Sequence, residues 1–237
     1  MKIRSRFSKE GEMKFIGHLD MVRYFQKAFR RANVDTAYSN GFSPHQLISF
    51  AAPLSLGLTS RGEYMDLIVH STEDSQTMME RINREMVDGV RILSWHQIAD
   101  ESKHTNAMSI VAAADYEISF RDLTAFQNDY QHPLQEFLQQ EHIIAKKKTK
   151  KSEKEMDIRP LIYDWQIEKT SIFLKLATGS VENLKPEFVM ETFCKQMGAS
   201  FHPFSLLICR LDMYAQDAEG KFISLDDLGT VIQKEES

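Results

Sequence analysis

Two cysteines in 237 residues leave little room for thiol chemistry. Cys194 and Cys209 sit among apolar neighbours, with no second cysteine or histidine at zinc-like spacing, and so read as buried free thiols. Long apolar runs are absent as well. Nothing approaches the roughly 18 residues needed to span a bilayer, and the opening MKIRSRFSKEGEMKF is charged where a signal peptide needs an apolar core. A cytoplasmic protein with no membrane partner is expected. Basic charge is not in excess: 29 Lys and Arg stand against 34 Asp and Glu, for a net −5. Bulk affinity for nucleic acid is thereby excluded, since that term scales with phosphate neutralisation, although a local patch overrides the average. There is no GxSxG elbow, GxxxxGKS phosphate loop, GxGxxG fingerprint, HExxH or paired CxxC, which sets aside the corresponding hydrolase, nucleotide-binding and zinc classes.

What is present suits a folded protein. Hydrophobic content of 42% and charged content of 27% are ordinary for a soluble globular chain, and the length suits two domains of about 100 residues or one large one. Lys2 to Phe7 alternates weakly as a strand. A helix follows from about His18 to Asn33, with Leu19, Val22, Gln26, Phe29 and Ala32 on its core face. Ala37 to His45 carries the turn dipeptides Asn40-Gly41 and Ser43-Pro44. Gln46 to Phe50 and Tyr64 to Val69 read as strands. Ser71 and Asp74 form a variant capping box before a helix striped by Met79, Ile82 and Met86, and Val90 to Trp95 closes the unit. The second half shows a similar order: strand at Tyr116 to Phe120, helix from Leu123 to Gln140, strands at His142 to Ala145, Asp157 to Trp165 and Ile172 to Ala177, a helix from Pro186, and a strand from Phe204 to Leu211. This order predicts an α+β fold of two tandem ferredoxin-like (βαββαβ) units, each an antiparallel sheet with helices on one face. The expected boundaries are an N-terminal domain over 1–105, a C-terminal domain over 106–215 with a lysine-rich hairpin, and an acidic tail over 216–237.

Four groups of residues bear on chemistry. Arg23, Lys27, Arg30 and Arg31 recur at i, i+4, i+7 and i+8, a basic stripe suited to phosphate; a solvated helix face is the default for such a pattern. Tyr38, Phe42 and His45 share the glycine-containing turn after that helix, and aromatics beside arginines form platforms for unpaired bases. Lys146, Lys147, Lys148, Lys150, Lys151 and Lys154, with Arg159 beyond them, make a second patch that either clamps a nucleic-acid backbone or keeps an exposed hairpin soluble. Among His18, Asp20, His45, Glu63 and Asp66 the residue types suit metal ligation or acid–base work. Their spacing brings no three together, so no metal is assigned to them and a catalytic role rests on tertiary structure alone.

The stretches FIGHLDMVRYFQKAFRRANV, YSNGFSPHQLISFAAPLSLGLTS and GEYMDL, with KKSEKEMDIRPLI later, closely resemble the bacterial radical-SAM-linked protein family. Members are similar to separate neighbours of, or carboxy-terminal fusions to, radical SAM proteins with a cobalamin-binding-like region. The resemblance implies a companion module rather than the radical enzyme, because such an enzyme needs three cluster-binding cysteines, typically CxxxCxxC. It implies no cofactor in this chain, a radical SAM protein as partner, and RNA (tRNA or rRNA) as the substrate class that fits the basic and aromatic residues. The element order is also similar to that of repeat-associated RNA endonucleases, an analogy of fold alone. Three functions follow: an accessory RNA-binding or substrate-presenting module, a metal-independent RNA-processing enzyme using His18 and His45, or a protein adaptor without nucleic acid.

Overall fold

The structure, a computed structural model, describes residues 1–99, 105–121, 130–148 and 153–234. Strands β1 (Lys2–Lys9), β2 (Ile48–Phe50), β3 (Thr59–Ile68), β4 (Val90–Ile98), β5 (Val111–Phe120), β8 (Ile162–Ile167), β9 (Ser171–Ala177), β10 (Leu206–Gln216), β11 (Phe222–Ser224) and β12 (Thr230–Val231) share one ten-stranded sheet, and β6 (Ile144–Lys148) pairs only with β7 (Glu153–Asp157). The helices are α1 (His18–Arg31), α2 (Ser75–Arg84), α3 (Ala107–Ile110), α4 (Gln131–Leu138) and α5 (Pro186–Gln196). None among the described residues is long and apolar enough to cross a membrane.

The expectation of two tandem ferredoxin-like units is overturned. The large sheet runs β12-β4-β1-β3-β10-β5-β9-β8, with β2 also on β3 and β11 on β10. Two self-contained sheets would each end in free edges. Here β10, from late in the chain, lies against β3 and takes up hydrogen-bonding groups that an independent sheet would leave open.

By contact the chain divides into residues 1–112 with 210–237, and residues 113–209. In the first unit β1 pairs antiparallel with both β3 and β4, in the registers Ile3↔Leu67 and Ile3↔Gln97. One face of these strands meets α1 and α2: Ile3, Phe7, Met65, Leu67 and Trp95 pack with Phe25, Phe29, Met78 and Ile82. Edge-to-face aromatic contacts knit this layer, with Phe7 and Phe25 ring centroids 4.8 Å apart. Asp74 caps α2 by accepting from the Thr77 amide at 3.0 Å. Gly62 is required where β3 passes β10, because a Cβ there would stand 2.3 Å from the Leu211 carbonyl oxygen. Residues set apart in the sequence as an acidic tail contribute β11 and β12. Leu225 is fully buried, and the Ile232 amide donates to Ser75 Oγ at the start of α2 at 2.9 Å.

In the second unit β5 and β8 flank β9, all antiparallel. Ile118, Leu174 and Leu176 are buried on these strands, and Phe137 of α4 meets Phe193 of α5 at 5.5 Å. The first part of the helix expected over Leu123 to Gln140 lies outside the described residues.

Candidate functional site

Strand β3 carries two of the three carboxylates that the sequence singles out, Glu63 and Asp66, and each is clamped by an arginine. Glu63 accepts from Arg210 Nε at 2.7 Å and from Nη2 at 2.8 Å, and the same Nη2 reaches the Ala52 carbonyl at 3.0 Å. Asp66 accepts from Arg4 Nε at 2.8 Å and Nη2 at 3.0 Å, and from the Ala107 amide at 2.8 Å. All four side chains are buried. A two-point arginine contact occupies the lone pairs that a general base or a metal ligand uses. Glu63 and Asp66 are therefore occupied structural partners. Sequence alone named neither arginine: Arg210 is 147 residues from Glu63, and Arg4 sits in a strand whose alternation is weak.

The structure does bring His18 and Glu63 together. With Lys9, Phe50 and Leu54 they line a cavity of about 20 Å³, room for about one water molecule. His18 opens α1 and meets Phe50 edge-on at 5.3 Å. Lys9 is buried and donates from Nζ to the Ile16 carbonyl at 2.7 Å, fixing the chain just ahead of α1. Burial lowers the Lys9 pKa, opposed by the nearby Glu63 carboxylate and reinforced by Arg210. Asp20 takes no part; it is exposed and accepts from Arg23 at 3.2 Å.

His45 belongs to a different place. Residues 36–47 form a hairpin-like excursion in which Thr36 bridges Val69 and Tyr38 bridges Gln46. His45 Nδ1 lies 2.9 Å from Ser39 Oγ. Phe42 at the tip is fully exposed and Tyr38 is 45% exposed. His45 and Asp66 border one open cleft, discussed below. Among the described residues, no three His, Cys, Asp or Glu side chains are grouped so as to hold a metal ion.

The basic residues divide by partner. Arg31 donates to the Glu85 carboxylate at 3.1 Å and to its carbonyl at 2.7 Å, whereas Lys27 and Arg30 are exposed and have no ion pair among the described residues. In the β6–β7 hairpin Lys146 pairs with Glu155 at 3.4 Å, and the register sets Lys148 opposite Glu153 and Lys147 opposite Lys154. Lys150 and Lys151 lie outside the described residues. The Arg159 guanidinium stacks 4.8 Å above the Trp165 ring and donates to the Ile162 carbonyl at 2.9 Å, so it serves this local fold.

A separate feature escaped the sequence reading. Leu19, assigned there to the core face of α1, is 71% exposed, and Phe15 and Leu56 are 59% and 63% exposed. The Gly57 amide donates to the Lys14 carbonyl at 2.9 Å and ties the loop carrying Leu56 to the segment carrying Phe15. Single exposed apolar residues are unremarkable; here Phe15 and Leu56 lie on segments joined by that bond, and Leu19 follows Phe15 by four residues.

No curated protein matches the chain. A family model matches residues 2–186, and the chain belongs to that family, DUF2344, described as an uncharacterized protein conserved in bacteria.

Proposed function

We propose that this chain is an accessory module that docks a radical SAM enzyme and helps present its substrate. The observation that carries this reading is the apolar surface of Phe15, Leu19 and Leu56. Burying such side chains against a partner contributes about 25 cal/mol per Å² of apolar area removed from water. The nature of the partner comes from the resemblance of the GHLD, GFSPH and EYMD blocks to radical-SAM-linked proteins. Two cysteines are too few to ligate the iron–sulfur cluster of such an enzyme, so within this reading the radical chemistry belongs to the partner. Copurification of the chain with the radical SAM protein encoded in the same genome tests it. Leu19→Asp and Leu56→Asp are expected to abolish the complex while leaving the far-UV spectrum unchanged. A complex that survives both substitutions overturns the assigned surface.

RNA presentation is the second reading, favoured by Phe42 and Tyr38 standing exposed on one hairpin. Aromatic platforms of this kind contribute roughly 1–3 kcal/mol per stacked base. Phe42→Ala is then expected to weaken tRNA or rRNA-fragment binding at low salt by tenfold or more. An absence of RNA affinity with and without the partner removes this reading and leaves the protein adaptor. The geometry gives no support to the RNA-processing enzyme: His18 and His45 border separate cavities, and the nearest carboxylates are committed to arginines.

A further inference from the structure

Beside β2 lies an open cleft of about 480 Å³, within the range of small-molecule sites. Leu47, Ile48, Leu67 and Ile68 give it apolar walls, Lys2 and Asn106 form a polar end beside Asp66 and Ser49, and His45, four residues before Ser49, borders it separately. The hydrogen-bond inventory of that end is lopsided. Asp66 is consumed by Arg4 and by the Ala107 amide. Asn106 Oδ1 already accepts from the Met108 amide at 3.2 Å and from Ser49 Oγ at 3.4 Å, which leaves the Nδ2 hydrogens without an acceptor among the described residues. Among the described residues Lys2 Nζ makes one hydrogen bond, to Thr105 Oγ1 at 3.3 Å, and has donors to spare. Farther along the rim, His45 Nε2, opposite the nitrogen facing Ser39, is without a partner among the described residues. Gln46 also borders the cleft, but its unpartnered amide oxygen is sealed from solvent and offers the cleft nothing.

Charge points the same way. Asp66 faces two cations, Arg4 at 2.8 Å and Lys2 at 3.7 Å, so among the described residues the polar end keeps one uncompensated positive charge. We infer that this cleft binds a small organic anion, with an apolar body against Leu47 and Ile68 and a carboxylate or phosphate head group on Lys2 and Asn106. A cationic or purely apolar guest leaves those donors unpaired and is rejected. This site is independent of the docking surface proposed above.

The test uses the full chain and probes that share one alkyl body. Octanoate and octyl phosphate are titrated in parallel with octylamine and octanol, followed by amide chemical shifts in nitrogen-15 spectra. The anions are expected to move the Asn106 side-chain amide and the backbone amides of residues 47–49, and to bind roughly tenfold or more tighter than octylamine or octanol. Comparison of octanoate with octyl phosphate identifies the preferred head group. Lys2→Gln is expected to remove the preference for anions. Leu47→Trp, made at a partly exposed position, is expected to fill the cleft and block every probe. Equal binding of octylamine, unchanged octanoate affinity in Lys2→Gln, or shifts confined to residues around Leu19 and Leu56 overturns the site.

Discussion

The arginine–carboxylate pairs of β3 and those on the surface of α1 use the same side chains and have opposite consequences. Arg210–Glu63 and Arg4–Asp66 are almost entirely removed from water, with side chains 6% exposed or less. Arg23–Asp20 is 72% and 65% exposed. An exposed pair gains little over its hydrated state, generally 0–1 kcal/mol. A buried pair is costly to desolvate and, once formed, makes each partner hostage to the other. Buried pairs therefore fix which strands meet, while exposed pairs leave their side chains free to be recruited. Those on β3 specify sheet order: Arg210 comes from β10, and Arg4 from β1 on the opposite side of β3.

Breaking a buried pair is the sharpest test of that contrast. Arg210→Met alone is expected to cost about 3–5 kcal/mol in urea unfolding, because Glu63 is left buried without its cation. Arg210→Met combined with Glu63→Leu is expected to recover most of that loss. Arg23→Ala, the surface counterpart, is expected to change the midpoint little. If the single buried variant unfolds no more readily than the surface one, the distinction fails. Gly62→Ala acts on the same strand junction through sterics alone. The added methyl meets the Leu211 carbonyl oxygen at 2.3 Å and the Asp212 Cα at 2.7 Å, both backbone atoms that cannot rotate away. Overpacking of this kind costs about 1–3 kcal/mol, so its effect ranks below the broken ion pair.

How far the sequence disclosed this arrangement depends on whether the deciding contact is local. Cap chemistry was readable only in its residue types: the box expected to start at Ser71 does not form, since Ser71 donates to Asp35 Oδ2 at 2.7 Å, and Asp74 is itself the cap of a helix that starts at Ser75. The face of α1 was misread by about a quarter turn. Two stripes share Phe29 and Ala32, and the buried one runs through Met21, Phe25 and Ala28, with Val22 partly buried at its margin and Leu19 exposed. The all-apolar stripe is the one that is buried, and Gln26 was the local sign against the other. The sheet order was beyond reach, since the pairing of β3 with β10 joins residues some 150 positions apart. Among the site candidates, residue type drew attention to Glu63 and Asp66, but their meaning lay in arginines that no local pattern connects to them. Arg4 and Lys2 alternate with Ile3 along β1, and only their burial separates them from ordinary strand charges.

The smallest expected effect concerns an exposed pair that nonetheless titrates. At the base of the β6–β7 hairpin His142 Nδ1 lies 2.7 Å from Asp157 Oδ2, and Asp157 Oδ1 accepts from the amides of Ile143 and Arg159. The hydrogen bond to Asp157, followed by its charge, raises the His142 pKa above 6.5. The hydrogen bond from His142, followed by those two amides, lowers the Asp157 pKa below 3.8. The histidine contribution is complete below its unfolded value of 6.5 and is lost as pH rises through its higher folded value. The aspartate contribution is present above 3.8 and is lost as pH falls through its lower folded value. The clasp is thus tightest between about pH 3.8 and 6.5. Proton titration of the His142 ring is expected to give a midpoint above that of His142 in an Asp157→Asn variant, with little change in global stability. A midpoint unmoved by the substitution removes the pair, and shows that even a short contact leaves no trace when both partners face water.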